Sequence, residues 1–160
     1  MGGIVSDNLG RASGLVKAGA GGTGKVLQVV GATHATEVDN TATSYTDSGL
    51  DVDITPSASS SKIFIYATMG TTWAPGYHYY LTLFRGDDDL TEDDAQGMLS
   101  LNMVTGSLTQ ESSFLFLDSP SSTSELTYSV YGKSETSGQS LKMCAGSAVG
   151  SITAIEIDGS

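Results

Sequence analysis

From residue 25 onward, apolar and polar positions alternate in short runs, with turn residues between them. "KVLQVVGAT", "TATSYTD" and "LDVDI" show the two-residue period of half-buried strands. "TPSASSS" is a turn cluster around Pro56, and "KIFIYATMGTTW" is a long β-branched and aromatic run that predicts a central strand. "GYHYYLTLFR", "GMLSLNMVT", "SSFLFLD", "ELTYSVYGK", "LKMCAG" and "SITAIEI" complete nine or ten predicted strands. Helical spacing is missing apart from one short candidate turn at "LTEDDAQ". Regularly spaced strands with little helix predict an all-β, antiparallel, jelly-roll-like β-sandwich over residues 25–160. Residues 1–24 hold no sustained period. Four glycines fall between positions 19 and 24, so this segment is expected to be an extended N-terminal arm ending in a Gly-rich hinge.

Composition sharpens the β reading. Ser and Thr together number 41 of 160 residues, Gly numbers 20, and only 16% of the chain is charged. These residues are poor in helix interiors and frequent in turns. The net charge of −11 argues against nucleic acid and anionic membranes as partners. It is unevenly spread: residues 1–25 carry Arg11, Lys17 and Lys25 against Asp7, a net +2, leaving −13 on the remainder. The single cysteine, Cys144, excludes an intramolecular disulfide and reads as a small buried apolar residue. The N-terminus lacks a signal-peptide pattern, and its partial match to a myristoylation signal has no second feature behind it.

Candidate chemistry is sparse. "GAGGTGKV" at 19–26 comes one residue short of a phosphate-binding loop, since Val26 stands where Ser or Thr would hold magnesium. A strand rather than a helix is predicted after Lys25, so no helix N-terminus is there to receive a phosphate. "RGDDDLTEDD" at 85–94 packs six acids into eight positions without the spacing of an EF-hand, and reads as a solvated hairpin tip. His34 and His78 lie far apart, and no nucleophile elbow accompanies them. No metal or other cofactor is expected. Trp73, Tyr77, Tyr79 and Tyr80 gather around "WAPGY", where they suit a core, a subunit interface or stacking on sugar rings. Alternation places His78 on the face of Tyr80, opposite Tyr77 and Tyr79.

Several stretches, in order, resemble a widespread set of bacteriophage virion structural proteins. They are "GKVLQVVGAT", "SYTDSGLDVDITPSASSSKIFI", "LFRGDDDL", "FLDSPSSTSELTYSVYGKS" and "ITAIEI". "IVSDNLGRASGLVKA" is similar to the N-terminal segment of those proteins. "ITPSASSSKI" and "LDSPSSTSELTYSVY" are distinctive in combination, while the acidic stretch at 86–96 departs from the pattern. The resemblance implies a non-enzymatic component of the particle exterior, often trimeric, fixed by its N-terminal segment. The expectation is a capsid decoration or short head-fibre protein whose arm binds the major capsid or another virion protein. Ile4, Val5, Leu9, Arg11, Leu15, Val16 and Lys17 are the expected arm contacts. The alternative is a tail-fibre tip or adaptor that meets a host surface glycan through the exposed loops at 72–80 or 86–96, with Trp73, Tyr77, His78 and Tyr79 as the candidate contacts. Homotrimer formation would bury surplus apolar faces such as "FLFL" at 114–117.

Overall fold

The computed structural model describes residues 24–91, 96–102, 106 and 108–159. The described residues form eleven strands: β1 (Val26–His34), β2 (Val38–Asn40), β3 (Thr46–Ile54), β4 (Lys62–Trp73), β5 (His78–Arg85), β6 (Asp88–Asp89), β7 (Leu99–Asn102), β8 (Leu108–Asp118), β9 (Leu126–Ser134), β10 (Leu141–Met143) and β11 (Gly150–Ile157). Every pairing is antiparallel. One sheet runs β1-β11-β4-β8, and β10 and β2 extend it beyond the end of β11 along the last residues of β4. The other runs β3-β9-β5, with β7 and β6 sharing the far edge of β5. Counted as eight main strands, the orders are 1-8-3-6 and 2-7-4-5, so the β-sandwich is a jelly roll.

The alternating pattern builds the core directly. Ile63, Ile65, Ala67, Met69 and Trp73 of β4 point inward, as do Leu81 and Leu83 of β5, Tyr128 and Val130 of β9, and Ile152 and Ala154 of β11. β4 spans the full length predicted for it, with β8 paired along one side throughout. Gly132 lets the sheets approach closely, because a Cβ there would lie 2.5 Å from Met143 Sδ and 2.9 Å from Leu81 Cδ2.

Two local features differ from the sequence reading. "TATSYTD" and "LDVDI" are not two strands. Residues 41–45 are a turn, and β3 runs unbroken from Thr46 with a register shift between Asp47 and Asp51. Gly49 sits in that irregularity at φ +74, where its hydrogen faces the His34 ring. The acidic stretch is a hairpin tip as expected, but one held by side-chain hydrogen bonds rather than simply solvated. Gly86 and Asp87 make a two-residue turn, and β6 pairs back onto Phe84 and Arg85. Asp89 then accepts hydrogen bonds from Thr82 Oγ1 (2.9 Å), Thr91 N (3.0 Å) and Thr91 Oγ1 (2.6 Å), which ties the segment to the outer face of its sheet. Residues 92–95, within the candidate helical turn, lie outside the described residues.

Two polar networks close one pole of the sandwich. Glu156 of β11 is fully buried and accepts from Gln28 Nε2 (2.6 Å), Ser57 N (2.7 Å), Ser57 Oγ (2.7 Å) and Ser61 Oγ (2.6 Å). Thus "TPSASSS" wraps a carboxylate from the last strand. Burial pushes that carboxyl up, but the hydrogen bonds from Ser61, Ser57 and Gln28 outweigh it and hold it at about 2. Asp118, at the end of β8, takes Arg85 Nη1 at 2.8 and 3.1 Å, the Tyr128 hydroxyl at 2.7 Å and the Ser119 amide at 2.7 Å. Burial, with the adjoining Asp118 carboxylate, raises the Tyr128 phenol far above its ordinary range.

Candidate interaction surfaces

The two poles of the sandwich differ. One pole carries Gly24, the 55–61 and 119–125 loops, the 86–87 turn and Asp158. Gly24 N donates to Asp158 O (2.9 Å) and Asp158 N to Lys25 O (2.8 Å), so the chain joins the fold beside the end of β11. The opposite pole carries the 41–45, 74–77, 135–140 and 144–149 loops. The expected arm contacts Ile4, Val5, Leu9, Arg11, Leu15, Val16 and Lys17 lie outside the described residues.

The aromatic candidates divide by depth. Trp73 and Tyr79 are core residues, 4% and 0% exposed. Neither offers a ring face to solvent, which removes them as stacking platforms and assigns them to packing. Both occupy inward positions of their strands, and aromatic size alone does not reveal which way a ring points. Tyr77 is half-buried and His78 exposed, both beside the 74–77 turn. His78 stacks on Tyr80 at 6.5 Å between centroids, on the face that alternation assigned, and Asn102 Nδ2 lies 2.9 Å from its Nε2.

Below His78, Tyr80 lines a hollow of about 260 Å³ with Thr43, Gln96, Lys133 and Glu135. Lys133 Nζ sits 4.3 Å from the Tyr45 ring centroid, a cation–π contact. Burial and the nearby Glu135, which accepts from the Tyr80 hydroxyl at 3.3 Å, raise the Tyr80 phenol. A larger concavity, about 650 Å³, opens between β8 and β6 and is lined by Arg85, Asp87, Asp88, Asp89, Phe116 and Asp118. Asp118 is engaged by three donor groups and Asp89 by two residues, so both are tied into the structure around them. Among the described residues no group of three or more His, Cys, Asp or Glu is arranged to hold a metal ion. Cys144 is buried, and burial raises its thiol.

A different surface stands out on the β1-β11-β4-β8 sheet. On its outer face, Val29, Ile155, Phe64 and Leu117 form one row across all four strands. Gly31, Thr153, Tyr66 and Leu115 form the next. A third row, Thr33, Ser151, Thr68 and Ser113, is wholly hydroxylated. Val29, Tyr66, Leu115 and Leu117 are 45–62% exposed, and the bulge at Val26–Gln28 leaves Val26 and Leu27 exposed beside them. The sequence signalled this only at "FLFL". Phe114 and Phe116 turn inward while Leu115 and Leu117 turn outward, and the rest of the row becomes visible only once the register is known.

Among the described residues no helix is long and apolar enough to cross a membrane. No protein-family model matches the chain, and no curated protein matches it.

Proposed function

We propose that the chain is a non-enzymatic structural protein of a bacteriophage particle, a capsid decoration or short head-fibre protein. Residues 1–24 anchor it to the major capsid or another virion protein on the particle exterior. The two-ended geometry carries this reading. The chain joins the sandwich at Gly24, and among the described residues the 41–45, 74–77, 135–140 and 144–149 loops lie at the opposite end. A body held from its first residues would direct the 74–77, 135–140 and 144–149 loops outward. The sequence resemblance supplies the virion context, since a jelly roll alone serves many functions. Many copies, each making weak contacts, would bind the lattice by avidity. Averaged electron cryomicroscopy of the particles tests it. Copies in the hundreds on the capsid lattice are expected, with the arm ordered against the shell. Absence from the particle would refute it.

The exposure of Tyr77 and His78 at the far pole favours a second reading, a tail-fibre tip or adaptor that contacts host glycan. About a dozen copies at the tail would select it. Glycan binding that is lost in Tyr77→Ala and His78→Ala would then locate the contact.

A further inference from the structure

We propose that the outer face of the β1-β11-β4-β8 sheet is a self-association surface, and that its occupant is a second copy of this chain. The inference rests on the apolar rows and not on the virion assignment. The exposed portions of the six protruding apolar side chains amount to roughly 500 Å², at the upper end of the largest patch on a typical monomer and enough for the centre of a standard interface.

Charge decides what can cover it. Two bodies of net charge −11 repel, so copies can meet only where the acids are few. The acids lie off this face: Asp47, Asp51 and Asp53 are exposed on β3, and Asp87 and Asp88 at the 86–89 hairpin, which borders only the end of β8 at Phe116 and Asp118. On the outer positions of these four strands the only charged side chains are Lys62 and Glu111, and Glu111 accepts from Thr68 Oγ1. The face is therefore nearly neutral, apolar at its centre and bordered by hydroxyls that a like surface can match.

The sheet edge points the same way. Among the described residues nothing pairs with the far side of β8, an eleven-residue strand. It has no proline or lysine to discourage a partner, and the strongly exposed Leu115 and Leu117 sit on it. The patch thus runs to the rim of the molecule, where a second copy continues it.

Sedimentation of the full purified chain at micromolar concentration tests the assignment, against a variant with Leu115→Glu and Leu117→Glu. Both substitutions are on outward positions and leave the core intact, which circular dichroism and a cooperative melt verify. The expected result is an oligomer in the parent chain, self-association weakened by on the order of 100-fold or more in the double variant, and no change in a Ser137→Glu control at the far pole. Amide exchange across 108–118 should slow as parent concentration rises. A parent chain that remains monomeric overturns the proposal. So does a double variant that still assembles, or assembly abolished by Leu15→Asp with Val16→Asp but not by the β8 pair, which would place the contact in the arm.

Discussion

Glu156 shows how much a single buried carboxylate governs. Its four hydrogen bonds come from two residues of the 55–61 loop and one of β1, so one side chain closes the pole where the chain joins the fold. Its folded-state value of about 2 lies below the ordinary glutamate value, so its contribution is fully present above about pH 4.5 and is lost as pH falls toward 2. The loss should reach about 2–3 kcal/mol. Thermal melts between pH 6 and pH 2 should show a falling transition temperature. In Glu156→Gln the transition should start lower at pH 6 and fall less steeply with acid. An unchanged slope in the variant would mean that other carboxylates carry the acid response. None of this was visible in "ITAIEI", where Glu156 stands between two isoleucines and nothing hints at its burial or its partners. The serines that hold it lie almost a hundred residues earlier, in a stretch that reads as an ordinary turn.

At the scale of elements, the two-residue period was enough wherever a strand is regular and one of its faces is buried. β4, β9 and β11 follow their sequence runs closely for that reason. Irregular pairing escaped the pattern. β3 looks like two strands because a bulge shifts its register at Gly49, and β6 looks like a loop because its residues are both aspartates. Gly49→Ala would combine a left-handed backbone with a Cβ 2.8 Å from His34 Cε1, and should cost about 1–3 kcal/mol in denaturant unfolding. A neutral result would show that β3 can flatten its bulge. Alternation separated His78 from Tyr79, but which of the two faces is buried, and that Trp73 and Tyr79 lie inward, became visible only with the sheet packing.

For the whole molecule, the dominant quantities are its acidity and its polarity of form. If copies meet across the near-neutral sheet, the remaining acids oppose them at a distance. Raising salt from tens to hundreds of millimolar should therefore tighten self-association, because screening removes the repulsion and leaves the apolar contact in place. Sedimentation at both salts reads this directly, and weaker association at high salt would indicate ion pairs at the interface. The pairing of Gly24 with Asp158 has a mechanical consequence. Tension applied between residues 24 and 159 would part β1 from β11 one rung at a time, like a zip, and yield at low force. Tension between residue 24 and the 135–140 loop would load the β1–β11 ladder in shear, with its rungs resisting together. Single-molecule pulling along the two axes should separate these regimes. A body tethered by its first residues and pulled from its far pole would be loaded in the stronger direction.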